Sequence, residues 1–362
     1  MDVVVITKRC HLLLIMLGVC AVLLCASAAC TTARESSPSA EDRTITDMVD
    51  RTVVIPSEIE SVLCTSPPST NLVYMVAPDR LKGWNFAPEK GYTAEKYMAL
   101  PVIGGWFGKE TGNYETFISM HPDIVIEGFT TDGGAASATI AERQQKMEPI
   151  PVVAVEDSTN STGYSAPIRF VGDLLGEEEQ AEAMIAFYEG VLATVAERAA
   201  SIPGDERVGV YYAEGPRGLT TDPSGSSHSE LIDLCGGRNI ADCAITPGMG
   251  MTEVSMEQVI AWDPDVILVE NPGFYAAVGT DPAWQEITAV KTGRVYLTPR
   301  TAFCWFDRPP GINRIIGIPW TAKTLYPDLF RDMDLESLVR EYHEIFLHVS
   351  LSDDQIHQIL NL

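Results

Sequence analysis

The chain has 362 residues and carries 25 lysines and arginines against 50 aspartates and glutamates, a formal net charge of −25. A surface with this charge repels nucleic acid and anionic lipid headgroups, so neither is expected as a partner. The charge does not exclude an anionic ligand, because a few arginines in one cleft can set the local field. The length beyond the N-terminal segment, about 319 residues, is enough for two lobes.

The N-terminus carries the features of an export signal. Lys8 and Arg9 precede a long apolar stretch, and a cluster of small residues then leads to Cys30. This pattern is typical of a secretory signal, and the cysteine at its end predicts a lipoprotein. We therefore predict a signal over 1–30, a lipid on Cys30 and attachment to the outer face of the cytoplasmic membrane. An uncleaved membrane anchor is the alternative, since residues 10–33 include no Asp, Glu, Lys or Arg.

Beyond this signal the chain has four cysteines, which are Cys64, Cys235, Cys243 and Cys304. None forms a CxxC pair, and no histidine lies at zinc-finger spacing, so the pattern predicts no metal site of that kind. A disulfide between Cys235 and Cys243 is compatible with an exported chain. Buried free thiols are the alternative, and the sequence leaves both open.

An internal repeat is the most informative feature of the chain. Residues 114–126 read YETFISMHPDIVI, and residues 256–268 read MEQVIAWDPDVIL. In each, a glutamate, Glu115 or Glu257, lies seven residues before the proline of a Pro-Asp pair. The residues between them have helical spacing, the proline ends the helix, and the following apolar run is typical of a buried parallel strand. A helix–turn–strand unit that occurs twice predicts two similar α/β lobes.

A long helical pattern lies midway along the chain. Residues 177–201 carry apolar side chains at i, i+3, i+4 and i+7 spacing, and a helix of this length spans roughly 37 Å. We therefore predict an α/β fold of two similar lobes with mainly parallel sheets, bridged by this single long helix, with the ligand cleft between the lobes. A tail helix is predicted over 335–347. The predicted ranges are a flexible tether without large apolar residues at 31–43, an N-terminal lobe at 44–165, a helical bridge at 166–201 and a C-terminal lobe at 202–362.

Five further segments accompany the repeat, in the order TITDMVDRTVVIPSEIESVL, APDRLKGW, SHSELIDLCGGRNIAD, DPAWQEITAVKTGRVYLTP and RPPGINRIIGIPWTAKTLYP. In this order and spacing, over residues 44–345, the chain resembles the periplasmic-binding-protein family that serves ABC importers of iron siderophores, haem and cobalamin. The resemblance implies an exported monomer, a small-molecule metal chelate as its ligand, and a permease dimer with its ATPase as its partner.

The same resemblance implies a role for the repeated glutamates. In the family, one glutamate on each lobe docks onto arginines of the membrane subunits, and Glu115 and Glu257 occupy the matching positions. The alternative is that both are first-turn glutamates that stabilise the N-terminus of a helix. Identical placement in two lobes fits a two-fold partner better, because paired surface charges fix orientation.

Ligands of α/β lobes lie beyond the carboxyl ends of the strands, which selects loops rich in aromatic residues and arginines. Aromatic side chains suit a large flat ligand, and arginines suit its carboxylates or a metal-chelate anion. An aromatic residue just after a strand can equally belong to lobe packing. His228 lies in a Gly/Ser loop from which it could reach the cleft, and the prediction favours a solvated loop residue. The predicted ligand contacts are Trp84, Trp106, Phe107, Arg217, Tyr275, Trp305 and Arg308.

The sequence contains no HExxH or GxSxG signature and no convincing carboxylate pair, so we predict a binding protein without catalytic or metal-binding residues. A ferric siderophore is the first choice of ligand, and a corrinoid or haem comes next. The alternatives are a metal oxyanion or nickel chelate as ligand, or a surface signalling or adhesion lipoprotein on the same fold.

Overall fold

The computed structural model describes residues 42–107, 110–129, 133–157, 160–247 and 250–361, with the backbone alone for 133–135. The predicted signal, Cys30 and the predicted tether up to residue 41 lie outside these ranges. Within the described ranges, no helix is long and apolar enough to cross a membrane.

The described part of the chain opens with an antiparallel hairpin of β1 (Asp42–Thr46) and β2 (Thr52–Pro56). β-Branched residues dominate both strands, which favours extended pairing. The first two residues of β1 are already paired, and the guanidinium of Arg43 donates to the carbonyl of Leu174. The tether predicted over 31–43 was therefore too long by at least two residues.

A three-stranded parallel sheet forms the centre of the N-terminal lobe. Its strands are β3 (Val62–Cys64), β4 (Ile124–Phe129) and β5 (Val152–Glu156), paired in the order β3-β4-β5. Alternate strand residues belong to two different apolar clusters, so both faces of the sheet are covered, as parallel sheets require. The helices of this lobe are α1 (Pro67–Val76), α2 (Glu95–Met98), α3 (Tyr114–Ser119), α4 (Gly133–Met147) and α5 (Ser165–Leu175).

One long helix, α6 (Glu178–Ala200), leads from the N-terminal lobe to the C-terminal lobe. It has 23 residues, which corresponds to about 35 Å. Gly176, with a φ of 72°, ends α5 in the left-handed conformation just before α6 begins. The predicted bridge at 166–201 therefore contains two helices, of which the second is the single long one. Its apolar stripe is buried, including Met184 and Tyr188.

A second parallel sheet forms the centre of the C-terminal lobe, with the strand order β11-β10-β6-β8. Its strands are β6 (Gly209–Ala213), β8 (Arg238–Asn239), β10 (Val266–Val269) and β11 (Val295–Leu297), while β7 (Thr220–Thr221) and β9 (Thr252–Glu253) form a separate antiparallel pair. The helices are α7 (Glu230–Leu234), α8 (Met256–Trp262), α9 (Pro272–Val278), α10 (Thr288–Lys291) and α11 (Arg314–Leu325).

The C-terminal tail forms α12 (Leu335–Leu347) and α13 (Asp353–Leu360), and the first matches the helix predicted over 335–347. The tail packs back on the N-terminal lobe: the hydroxyl of Tyr74 in α1 donates to the carbonyl of Leu347 at 2.7 Å. The predicted C-terminal lobe at 202–362 therefore needs correction, because its last part contacts α1 and α6.

The internal repeat has the same local structure in both lobes. α3 and α8 are each followed by a residue in the left-handed conformation, His121 with a φ of 49° and Asp263 with a φ of 41°. Asp123 then accepts a hydrogen bond from the backbone N–H of Ser61, directly before β3, at 2.8 Å. Asp265 accepts one from Gly209, the first residue of β6, at 2.7 Å. The Pro-Asp pair thus ties each repeated strand to its neighbour.

Candidate functional site

The carboxyl ends of the two sheets face each other. A side chain added at Gly311, in the loop before α11, would contact Pro68 and the carbonyl of Asp157 in the N-terminal lobe. The backbone N–H of Ser161 in the N-terminal lobe donates to the Glu230 carboxylate of α7 at 2.9 Å. Because ligands of parallel α/β sheets lie beyond the carboxyl ends of the strands, the candidate site lies between these two edges.

Arg308 is the centre of a charged cluster on the C-terminal side. Its Nε donates to Glu214 at 2.7 Å, and its Nη2 donates to Asp222 at 2.5 Å. Both carboxyl groups are fully buried, and 14 % of the Arg308 side chain is exposed. Arg308 has a φ of 56°, which non-glycine residues seldom adopt. The hydrogen bonds around Arg308 must offset the free-energy cost of this backbone conformation.

A second arginine, Arg314, holds the residues next to Arg308 in place. Asp307 accepts from Nδ1 of His228 at 2.9 Å and from Nη2 of Arg314 at 3.2 Å. Arg314 is fully buried and also donates to the carbonyls of Phe306 and Ser227, at 2.9 and 2.7 Å. It thereby holds together the two loops that form this wall of the cleft.

His228 is not the solvated loop residue that the sequence predicted. Only 13 % of its side chain is exposed, because the fully buried Asp307 holds its ring. The prediction was wrong because the partner carboxylate lies 79 residues away in the chain.

Burial decides the charge of the cluster. Removal from water raises the pKa of Glu214 to about 9; Arg308 opposes this shift, and Asp222 adds to it. Glu214 is therefore protonated at neutral pH. Two guanidinium groups, Arg308 and Arg314, lie among the carboxyl groups of this wall, which include Glu230 at 3.7 Å from Arg314. The wall thus concentrates two cations in a chain that as a whole carries a charge of −25.

Cation binding does not fit the same cluster. Asp222, His228 and Asp307 could place ligand atoms within 4.8 Å of one another. The Arg308 guanidinium, however, lies 2.5 Å from Asp222 and 3.4 Å from Asp307, so a cation would have to displace it. The donor set of Arg308 and His228 suits an anion.

Asp157 lies at the opposite edge, directly after β5. It is fully buried, and the hydroxyl of Ser66 donates to it at 2.9 Å. Burial raises the pKa of Asp157 to about 7, with a smaller contribution from the nearby Glu127 charge.

Relative to the wild type, the Asp157→Asn variant should gain stability as the pH rises. The folded chain keeps a proton on Asp157 up to about pH 7, whereas an unfolded chain loses it near pH 3.9. Wild-type stability therefore falls between these values, by up to about 1.4 kcal/mol per pH unit, and then levels off. In the asparagine variant, the amide oxygen can still accept from the Ser66 hydroxyl, and the side chain does not titrate. Urea unfolding at pH 5, 6, 7 and 8 measures the difference, and the exposed Asp173→Asn variant is the control. Parallel pH profiles for wild type and Asp157→Asn would contradict this assignment.

Two predicted ligand contacts lie in lobe cores instead. Trp84 is 1 % exposed, and its indole N–H donates to the carbonyl of Tyr97 at 2.9 Å. Trp305 is also 1 % exposed, and its indole N–H donates to the carbonyl of Thr301 at 2.7 Å. Because both rings are packed and both N–H groups have partners within their own lobe, we withdraw them as ligand contacts.

Trp106 and Phe107 are half-buried at the end of the N-terminal lobe that faces the cleft. The Trp106 ring lies 4.2 Å from the guanidinium of Arg143, which forms a buried ion pair with Glu127 at 2.8 Å. Tyr114, the first residue of α3, lies against the same ring at 4.6 Å. Trp106 is therefore firmly positioned, with part of its surface accessible.

Arg217 and Tyr275 follow the carboxyl ends of β6 and β10, respectively. Arg217 is exposed in a tight turn that the Glu214 N–H closes by donating to the carbonyl of Thr220 at 2.8 Å. Tyr275 is 38 % exposed on α9. Both stay predicted ligand contacts, and of the predicted set only Arg308 belongs to the charged cluster of the described residues.

Glu115 and Glu257 lie on different lobes, and both are exposed. Each is the second residue of its helix, after the side-chain caps Asn113 and Ser255. Hydrogen bonds from its own backbone N–H and from Ser255 hold the pKa of Glu257 below its ordinary value, so it is ionised at neutral pH.

Cys235 and Cys243 are not joined in a disulfide. The Cys235 thiol is buried and donates to the carbonyl of Ile318 at 3.3 Å, so the free-thiol alternative holds for this pair.

Two parallel-sheet lobes joined by one long helix, with a charged cluster where their carboxyl ends meet, define a bilobal solute-binding protein. Residues 82–302 match the family model described as periplasmic binding protein. The chain belongs to this family.

Known relatives cover almost the full length of the chain. An ABC transporter solute-binding protein from Sulfurospirillum deleyianum is 32 % identical, with a TM-score of 0.80 over 88 % of this chain and 99 % of that one. The molybdate-binding protein MolA of Haemophilus influenzae is 26 % identical over 90 % of this chain and 97 % of its own, and its molybdate-bound structure has a TM-score of 0.69. The ABC transporter substrate-binding lipoprotein YvrC of Bacillus subtilis is 25 % identical over 80 % of this chain and 87 % of its own. The chain is therefore a solute-binding protein of an ABC importer, which works with a permease and an ATPase.

Proposed function

We propose that the chain binds a small metal oxyanion of the molybdate class in its cleft, without transforming it, and delivers it to the importer. The observation that carries this proposal is the similarity to the molybdate-binding protein MolA, which extends over 90 % of this chain. The sequence analysis gave a metal oxyanion as an alternative ligand, and we propose it here in place of the ferric siderophore.

The chemistry of the cleft supports a small oxyanion. The planar guanidinium of Arg308 carries donors in a fixed geometry, and such groups recognise tetrahedral oxyanions well. The two guanidinium groups of this wall set a local field that favours an anion, although the chain as a whole is acidic.

A ferric siderophore, by contrast, is a larger ligand, and pockets for ligands of that size are lined mainly by apolar and aromatic side chains. Two of the predicted aromatic contacts, Trp84 and Trp305, are packed in lobe cores and cannot supply it. This leaves Trp106, Phe107 and Tyr275 as the aromatic side chains of the predicted set.

Elemental analysis combined with native mass spectrometry tests the ligand class. Protein purified from cells grown with molybdate should carry molybdenum at one atom per chain, in a complex that has the mass of the oxyanion. Iron that co-purifies with an organic chelator, in place of molybdenum, would overturn the proposal.

We also propose that Cys30 carries a lipid that tethers the protein to the membrane, in agreement with the lipoprotein nature of the relative YvrC. Cys30→Ser should then release or mislocalise the protein, because no helix of the described ranges is long and apolar enough to hold it in the membrane. Fractionation of cells that express each form measures this effect. Full membrane retention of the serine variant would favour the uncleaved anchor.

A further inference from the structure

Among the described residues, the pair of His228 and Asp307 occupies one of the two ring nitrogens of the histidine. Nδ1 lies 2.9 and 3.0 Å from the two oxygens of Asp307, so Nδ1 carries a proton that the carboxylate accepts. Within the described ranges, no residue is hydrogen-bonded to Nε2, and the side chain is partly exposed. Nε2 is therefore the atom of this cluster that can exchange a proton with solvent or contact a ligand.

The groups around His228 come from five segments of the C-terminal lobe. Asp222 follows β7, Glu214 follows β6, Glu230 begins α7 and lies 3.7 Å from Arg314, Asp307 and Arg308 belong to the loop before α11, and Arg314 begins α11. Tyr212 of β6 also faces this cluster, and burial raises the pKa of its phenol well above the ordinary value, so the phenol stays neutral.

A bound dianion adds two negative charges to this set of charged groups. The two arginines are always protonated, and the buried carboxyl groups of Asp222 and Asp307 each accept a hydrogen bond from a guanidinium. Glu214 already holds its proton at neutral pH. On this wall, His228 has an accessible ring nitrogen that can take a proton, whereas Asp157, across the cleft, is the carboxyl group whose pKa of about 7 lies near neutral pH.

We propose that binding of a divalent oxyanion draws one proton from solvent onto Nε2 of His228, which then donates a hydrogen bond to the anion. This inference rests on the proposed function and adds proton uptake to it. No covalent bond to the ligand forms or breaks: the imidazole gains one proton and becomes imidazolium, and the buffer loses one.

The sign of the pH dependence follows from this step. The bound anion raises the proton affinity of His228, so the contribution to binding is complete at low pH and is lost as the pH rises through the titration of His228 in the complex. The logarithm of Kd should therefore rise with pH, with a limiting slope of one unit per pH unit. Molybdate stays a dianion across this range, so the ligand does not cause the slope.

Isothermal titration calorimetry of molybdate binding, in Tris and in PIPES or HEPES at matched pH between 6 and 9, measures the uptake directly. The buffers differ in ionisation enthalpy, so the difference in heat gives the number of protons taken up. We expect up to one proton per anion, most of it lost in His228→Gln. That variant should bind about tenfold more weakly than wild type at pH 6 and similarly at pH 9.

His357→Gln is the matched control, because His357 is exposed on α13 and pairs only with Glu336 at 3.3 Å. It should keep the wild-type uptake. Molybdate binding without proton uptake at every pH would overturn this inference and leave the proposed function standing, as would uptake that persists in a folded His228→Gln variant. Failure of the wild-type protein to bind molybdate at all would overturn the proposed function itself. If His228→Gln does not fold, absence of uptake by the wild-type protein still overturns the inference, and uptake that persists in Asp157→Asn assigns the proton to the His228 wall.

Discussion

Transport should fail in the double variant Glu115→Lys/Glu257→Lys, while its solute affinity stays at the wild-type level. The two glutamates are exposed at equivalent positions on the two lobes, which is the arrangement that two basic sites on a permease dimer require. Charge reversal replaces attraction with repulsion at both sites, so uptake should fall by at least about tenfold. Single reversals should have mild effects, because one exposed ion pair contributes little.

Uptake into vesicles reconstituted with the cognate permease and ATPase, measured together with solute affinity, checks this prediction. Glu148→Lys/Glu206→Lys is the matched control, since it makes the same change of charge at exposed positions outside the repeated unit. Control uptake should stay near wild type. If the docking variant transports normally, the glutamates only stabilise their helices. A loss of solute affinity that matches the loss of uptake would also contradict docking.

Arg308→Gln should lose both stability and ligand affinity. The substitution leaves the buried Glu214 and Asp222 without their shared cation, and breaking a buried ion pair from one side costs about 3–5 kcal/mol. Loss of a charged donor to the anion should weaken binding by about a hundredfold or more. Chemical unfolding and equilibrium titration measure the two effects separately.

A second substitution separates the two roles of Arg308. In Arg308→Gln/Asp222→Asn the uncompensated carboxylate is gone, and the amide oxygen can still accept from the Ser226 hydroxyl, which lies 2.9 Å from Asp222. Stability should therefore recover in large part, while affinity should not. Recovery of both would show that Arg308 is only a structural counter-ion. Wild-type affinity in a folded Arg308→Gln variant would place the anion elsewhere.

Much of the fold could be predicted from the chain because it depends on local patterns. The repeated helix, Pro-Asp turn and apolar strand specify one unit of each sheet, and helical periodicity specifies α6 and α12 to within a residue. The packing of α12 on α1 could not be predicted, because an amphipathic pattern shows that a face is buried and not which surface buries it. The bond between Tyr74 and Leu347 spans 273 residues.

Less of the candidate site could be predicted from the sequence. Arg308 could be selected because arginines near a predicted cleft suit anions, but its partners Glu214 and Asp222 lie 94 and 86 residues away. Of these two partners, Glu214 has a local signal in the sequence, because it directly follows a buried apolar strand. Trp84 and Trp305 were misplaced because an aromatic residue after a strand has the same pattern in a core as in a cleft. In the structure, the core position is recognised because a backbone carbonyl of the same lobe accepts from the indole N–H of each residue.

A crystal structure of the protein with molybdate, with anomalous data at the molybdenum edge, tests the central claim most directly. The account predicts one strong molybdenum peak between the lobes, within hydrogen-bond reach of Arg308 and Nε2 of His228. A cleft without a molybdenum peak at saturating molybdate, or a peak away from both side chains, would contradict it.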